Sequence, residues 1–280
     1  MEIKIAKKTG FCYGVDRAFN GVKTLAKESK EKVYIYGELV HNKEVIKNLS
    51  ESGIEKIDNL KEFPQKYENS TVVIRAHGIP KKEREQLKKF KKVVDMTCPI
   101  VQNLVDYTND VQLKGYYIVV YGKTNHPEMI CLKGNVDEKK INITLEPYKL
   151  NTNKICIISQ TTVDNDSFKK FYMKMMEINN FSDIIIKNTI CKETSFREEE
   201  AKKLSKWAEC VIVIGGKNSS NTRKLYNISL EHCKNTHYVE NYKELSENIK
   251  NNEKVAILTG SSTPQWSIKD VVDFLKGNIS

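Results

Sequence analysis

Short apolar runs rich in Ile and Val recur along this 280-residue chain, each followed by a polar loop and then a longer stretch with apolar positions at helical spacing. Runs of about four to six such residues read as buried strands of a parallel sheet, and the stretches between them as the crossover helices that parallel strands need. The clearest strands are predicted at Val33–Tyr36, Val72–Ile74, Tyr117–Tyr121, Ile155–Ile158, Val211–Ile214 and Val255–Leu258, with weaker ones at Glu55–Ile57, Ile141–Thr144 and His237–Val239. The pattern is that of an α/β fold.

Three cysteines mark a repeat within this pattern. Cys12 follows an apolar run at Ile3–Ala6 and precedes a helical stretch at Val15–Ala26. Cys98 follows Val93 and Val94 and precedes Ile100–Leu113; Cys191 follows Ile184–Lys187 and precedes Glu198–Ala208. The order is strand, short turn, Cys, helix each time, and the cysteines are 86 and 93 residues apart. Polar strand-end loops keep step with them, first near His41, His126 and Ser220, then near His77, Thr161 and Ser262. We therefore expect three similar small parallel-sheet α/β modules, at residues 1–97, 98–190 and 191–280, around a pseudo-threefold axis with a central cleft. The first module takes its last strand from Val93–Asp95 and the second from Ile184–Lys187, but the third has no later strand to use. The N-terminal strand Ile3–Ile5 is expected to pair with the third module and close the ring.

Charge and cysteine usage narrow the partners. The formal net charge is +10, which favours anionic partners. The basic residues are spread along the chain with no interleaved aromatic–basic motif, so nucleic acid is not expected. No apolar run approaches the roughly 18 residues of a membrane span, and the charged N-terminus has no signal-peptide pattern. We expect a cytoplasmic protein. Seven cysteines, an odd number with no C-x-x-C pair, speak for reduced thiols rather than a disulfide framework or a zinc ribbon.

In parallel sheets the functional loops gather at the carboxyl ends of strands, where helix N-termini also point. A cysteine at a helix start feels roughly half a positive charge, which lowers a thiol pKa from about 8.5 toward 3.5–7.5. Three thiolates from distant positions suit a metal centre with one open site, and thiolates select zinc, copper(I) or iron–sulfur clusters. Cys131, Cys156, Cys210 and Cys233 share no such register and read as core or surface thiols. The loops supply donors for an anion: His41, His77 and His126, with Ser219, Ser220, Asn221 and Ser262. Hydrogen bonds to a charged group contribute roughly 1.5–3 kcal/mol each, so six or seven suffice for a diphosphate without a Walker loop. Glu128 is an acid among these donors, which suits proton delivery, and Thr161 is placed to orient it.

The segments Gly10-Phe-Cys-Tyr-Gly-Val15, Val40-His-Asn42, Arg75-Ala-His-Gly78, Thr97-Cys-Pro99, Asn125-His-Pro-Glu128, Ser159-Gln-Thr-Thr162 and Lys217-Asn-Ser-Ser-Asn221 resemble, in order, the motifs of the hydroxymethylbutenyl diphosphate reductase family. The likeness runs from Lys8 to Pro264, and Thr194 repeats the family's Thr three positions after the last cysteine. It implies an oxygen-sensitive [4Fe–4S] enzyme of the non-mevalonate isoprenoid pathway. Such an enzyme removes the allylic hydroxyl of (E)-4-hydroxy-3-methylbut-2-enyl diphosphate to give isopentenyl and dimethylallyl diphosphates and water. Carried over by residue, Cys12, Cys98 and Cys191 ligate three irons and leave the fourth open to substrate. His41, His77, His126, Ser219, Ser220, Asn221 and Ser262 hold the diphosphate, and Glu128 supplies a proton with Thr161 and His126 beside it. A ferredoxin or flavodoxin type electron donor is the implied protein partner. Two other readings stand beside it: quinolinate synthase, which also brings three cysteines from three α/β domains to a cluster, and a basic nucleic-acid-binding scaffold. Turnover of the allylic diphosphate separates the first, and a colourless protein that binds nucleic acid without Cys12 is the mark of the second.

Overall fold

β-Branched side chains pack well on a pleated surface covered from both faces, and Val and Ile fill the strand interiors here. The computed structural model describes residues 1–40, 42–58, 60 and 65–279. The described chain opens with β1 (Glu2–Ile5) and α1 (Tyr13–Glu28), then β2 (Val33–Tyr36), α2 (Lys43–Glu51), β3 (Glu55–Ile57), β4 (Thr71–Ile74), α3 (Lys81–Leu87) and β5 (Lys92–Asp95). It continues with α4 (Pro99–Leu113), β6 (Tyr117–Tyr121), α5 (Pro127–Lys133), β7 (Ile141–Thr144), β8 (Lys154–Ser159), α6 (Asn165–Ile178) and β9 (Asp183–Ile186). The last part holds α7 (Lys192–Trp207), β10 (Cys210–Ile214), α8 (Ser220–His232), β11 (Thr236–Val239), β12 (Lys254–Thr259) and α9 (Gln265–Leu275).

These strands form three sheets of four, in the orders β3-β2-β4-β5, β7-β6-β8-β9 and β11-β10-β12-β1, parallel throughout. One topology is used three times. In the third sheet the N-terminal strand β1 takes the edge place that β5 and β9 hold in the other two, with Ile3 opposite Val255 and Ile5 opposite Ile257.

The chain divides into two compact units, Met1–Phe19 with Val40–Ser52 and Lys192–Ser280, and Asn20–Leu39 with Gly53–Cys191. In the first, one face of the β11-β10-β12-β1 sheet packs Ile212, Ile214 and Ile257 against Ile268 and Phe274 of α9. The other face packs Val211, Val213 and Leu258 against Ala201 of α7 and Leu225 of α8. Helix α2, from the first third of the sequence, belongs to this unit. The Ser267 hydroxyl donates to Glu44 Oε2 at 2.6 Å, and Asn42 Nδ2 to the Ser262 carbonyl at 3.1 Å.

The second unit holds the other two sheets, joined where residues 79–81 meet the end of α5. There the Lys81 N–H donates to the Gly134 carbonyl and Asn135 Nδ2 to the Ile79 carbonyl. Gly134 permits this approach, since a Cβ on it would lie 2.5 Å from Pro80 Cβ.

Helices α1, α4 and α7 each begin at the residue after Cys12, Cys98 or Cys191. For α7 that is six residues earlier than the hydrophobic pattern predicts. Its buried positions, Thr194, Arg197, Glu198, Ala201 and Ser205, have helical spacing but are mostly polar, so an apolar period does not show them. Among the described residues no helix is long and apolar enough to cross a membrane.

Ile257 lies on β12, hydrogen-bonded on both sides, and its side chain is fully buried. Ile257→Ala is expected to cost about 2–5 kcal/mol of stability, the range for a buried Ile cut to Ala, as read by urea unfolding. An unchanged midpoint would contradict this placement of the core.

Candidate active site

The three cysteines are held in one way. The N–H groups of Cys12, Cys98 and Cys191 donate to the carbonyls of Ser261, Ala76 and Thr161, each at 2.9 Å. Each acceptor lies two residues beyond the strand beside the edge strand: β12, β4 and β8. The residue two before each cysteine also docks on the last residue of that strand. The Gly10 N–H donates to Thr259 Oγ1 at 3.0 Å and the Met96 N–H to the Ile74 carbonyl at 3.0 Å, while the Thr189 hydroxyl donates to the Ser159 carbonyl at 2.6 Å. The same step of chain therefore delivers a cysteine to a helix start three times, and all three are half-buried. The other four are buried in cores, and burial pushes the thiols of Cys131 and Cys210 up to about 12 and that of Cys156 up to about 11.

In the two-sheet unit the predicted acid and its neighbours meet. Glu128, in the first turn of α5, is only 2% exposed. Its Oε1 accepts the Thr161 N–H at 2.8 Å and its Oε2 the Thr161 hydroxyl at 2.6 Å. Burial pushes the Glu128 pKa above the ordinary carboxylate value, and the two Thr161 bonds only partly oppose it. The carbonyl of Thr161 is the one that accepts from Cys191, so a single residue holds both the acid and a cysteine. His126 caps α5, its Nδ1 accepting the Glu128 N–H at 3.3 Å, which leaves Nε2 as the protonated, donating nitrogen. The His77 ring stands edge-on to it with centroids 5.7 Å apart. His77 directly follows Ala76, the acceptor for Cys98. Cys98, His77, His126, Glu128, Thr161 and Cys191 thus form one continuous series of contacts and chain neighbours.

In the other unit Asn42 caps α2 through its side-chain oxygen and donates to the Ser262 carbonyl. Ser219 caps α8, its Oγ accepting the Thr222 N–H at 3.3 Å, and Ser220 and Asn221 open that helix. Gly260 lets the second loop reach this helix start, since a Cβ on it would lie 2.0 Å from Thr222 Oγ1. Asn221 is 3% exposed, yet neither its Oδ1 nor its Nδ2 has a hydrogen-bond partner among the described residues, and the same holds for Ser262 Oγ. A buried polar atom left so costs about 1–3 kcal/mol. His41 lies outside the described residues.

The sequence reading did not include Arg197. Its guanidinium is buried, with Nη1 donating to the carbonyl and Oγ1 of Thr259 and Nη2 to the carbonyl of Gly10. A helix drawn from Cys191 onward, rather than from Glu198, would have placed it on the inner face.

The family model described as LytB protein matches residues 3–276. The chain belongs to the LytB protein family. A LytB relative from Petrotoga mobilis named 4-hydroxy-3-methylbut-2-enyl diphosphate reductase is 48% identical over 277 residues, covering 98% of this chain and 97% of that one. A relative of the same name from Thermotoga maritima is 41% identical over 277 residues, 99% and 96% of the two chains. A solved structure described as (E)-4-hydroxy-3-methyl-but-2-enyl diphosphate reductase, the terminal enzyme of the non-mevalonate pathway, aligns over 100% of both chains with TM-score 0.73 and 34% identity. The Plasmodium falciparum E-1-hydroxy-2-methyl-but-2-enyl-4-diphosphate reductase aligns with TM-score 0.87 and 27% identity, over 97% of this chain and 87% of that one. As a LytB protein the chain is an oxidoreductase.

The donor set of this LytB chain fits a thiolate-bound cluster: three half-buried cysteines at helix starts, set apart from four buried ones. Among the described residues no three His, Cys, Asp or Glu side chains gather to hold a single metal ion.

The raised Glu128 pKa yields a signed expectation. Stability from a raised carboxyl is present below its unfolded pKa of about 4.3 and is lost as pH rises through the folded value. Glu128→Gln, which imitates the protonated acid, escapes that loss. Its stability relative to the parent chain should rise as the pH is raised above about 4.3 in urea unfolding of the metal-free protein. A pH-independent difference would contradict the shift.

Proposed function

We propose that this chain removes the allylic hydroxyl of (E)-4-hydroxy-3-methylbut-2-enyl diphosphate, taking up two electrons and two protons and giving isopentenyl or dimethylallyl diphosphate and water. The observation that carries this reading is the Thr161 junction, a buried acid with a raised pKa on the residue whose carbonyl holds Cys191. The names of the relatives supply the substrate.

Cys12, Cys98 and Cys191 would hold a [4Fe–4S] cluster with one iron open to substrate. When bound, such a group supplies electrons and a Lewis-acidic iron for the departing oxygen. The rest of the work falls to side chains. The Nε2–H of His126, with His77 edge-on to it, offers a donor to diphosphate oxygens. The Ser219 hydroxyl, whose oxygen accepts from Thr222, keeps its proton free to donate. Ser220, Asn221 and Ser262 add polar groups, and bound phosphate oxygens would accept from Asn221 Nδ2 and the Ser262 hydroxyl, two of the donors that have no partner among the described residues. His41 completes the set by its place in the sequence repeat.

Glu128 gives its proton to the leaving hydroxyl, so that water departs rather than hydroxide. Burial favours the protonated form of that carboxyl, and the Thr161 N–H and hydroxyl fix which way it faces. A small acidic ferredoxin or flavodoxin suits the +10 chain as electron donor, in a cytoplasm that keeps the thiols reduced.

The test is anaerobic turnover of the allylic diphosphate with reduced methyl viologen, with iron counted per chain. Iron-loaded protein should release both isomeric diphosphates, and iron-loaded protein without turnover overturns the reading. Glu128→Gln should lower kcat by about 10²–10⁴-fold while binding the diphosphate with near-parental affinity, the loss expected for a general acid.

A further inference from the structure

In two of the three sheets the strand that leads to the cysteine is joined to its own module by an adjacent helix of the chain: α3 leads into β5 and α6 into β9. Strand β1 has no such tether, because its partner β12 lies some 250 residues away, at the far end of the sequence. The register of the Cys12 turn therefore rests on non-covalent contacts, and among the described residues it is the one of the three whose backbone accepts directly from a buried guanidinium.

We infer that Arg197 is the positioning residue for Cys12, which rests on the reading of Cys12 as a cluster ligand. Both backbone groups of Gly10, two residues before Cys12, are taken up by one small network. The Gly10 N–H donates to Thr259 Oγ1, and the Gly10 carbonyl accepts from Arg197 Nη2 at 3.0 Å. Arg197 Nη1 closes the network on the Thr259 carbonyl at 3.0 Å and on Thr259 Oγ1 at 3.1 Å. In the other two modules the matching residues, Met96 and Thr189, dock on the strand end directly.

The Arg197 side chain is 2% exposed, and the Glu193 carboxylate, itself paired with Lys8 at 3.1 Å, lies 3.8 Å from Nη2. A buried guanidinium is retained at such a cost when a planar fork must reach two acceptors at once, and lysine offers only a point charge. The fork also ties the turn to α7, which starts directly after Cys191. Gly10 accepts this place because its φ of +73° suits glycine and a Cβ there would lie 2.4 Å from Gln265 Nε2.

The experiment is competitive alkylation of the metal-free full chain by iodoacetamide, with Cys12, Cys98 and Cys191 read separately by peptide mass spectrometry. In Arg197→Lys the rate at Cys12 should rise about fivefold relative to Cys98 in the same molecule, the factor expected for one net hydrogen bond. Thr259→Val, near in shape but without the shared oxygen, should move the ratio the same way, and it decides the matter if the lysine variant does not fold. A Cys12 to Cys98 ratio equal to the parent's in the folded variants overturns the inference, as does an equal rise at all three cysteines, which is general loosening. Iron bound per chain by the unmutated protein tests the ligand reading separately, and in Arg197→Lys it should fall while the thermal midpoint stays within a few degrees of the parent.

Discussion

Much of this molecule depends on a single backbone hydrogen bond, from the N–H of a cysteine to the carbonyl two residues past the neighbouring strand, formed three times at 2.9 Å. It carries the slanted, evenly spaced bonding of a parallel ladder one step beyond the end of each sheet. Because all the strands of a sheet run the same way, the cysteine, the helix it opens and both polar loops of that module emerge at the same sheet edge. An antiparallel edge strand would send the cysteine to the opposite end, away from His77, His126 or Ser262. Parallel pairing is the constraint, and the chemistry of the loops is its consequence.

Two carboxyls show how that edge sets charge. Asp95 and Glu128 each accept an N–H and a hydroxyl from one threonine, Thr97 and Thr161. Burial pushes both upward. For Asp95 the Thr97 bonds and the Arg84 guanidinium, 2.6 Å from Oδ2, outweigh it and hold the group below its usual value. Glu128 is more deeply buried and no cation is among the causes of its shift, so burial wins. One acid serves as a charged brace for the turn to Cys98, and the other is able to keep a proton.

The legible part of the sequence is what depends on apolar periodicity and on repetition. The strands at Val33–Tyr36 and Tyr117–Tyr121 are at their predicted bounds, and β8, β10 and β12 extend by only a residue or so at an end. The helix after Cys191 is misread because its inner face is Thr194, Arg197 and Glu198, residues whose burial depends on partners elsewhere in the chain. Arg197 looks like a surface charge until Gly10 and Thr259, 187 and 62 residues away, are seen beside it. Likewise nothing near Glu128 in sequence shows that both of its oxygens are taken up by Thr161, 33 residues on.

The repeat is a backbone repeat, and its side chains have diverged in a way that binding explains better than folding. The α2, α5 and α8 starts are capped by Asn42, His126 and Ser219, three residue types with one structural duty. If capping were the whole of it, the neighbouring positions would be free to become apolar. Instead the third sheet's loops keep an amide at Asn221 and a hydroxyl at Ser262, buried and without a partner among the described residues, at a cost of about 1–3 kcal/mol for each unsatisfied atom. A fold that only had to be stable would shed that cost by substituting Leu or Ala there. A site that must draw an anion out of water, the role proposed for these residues, would keep it, because the Asn221 amide N–H and the Ser262 hydroxyl would return their cost on donating to an anion's oxygens, and so convert lost stability into affinity.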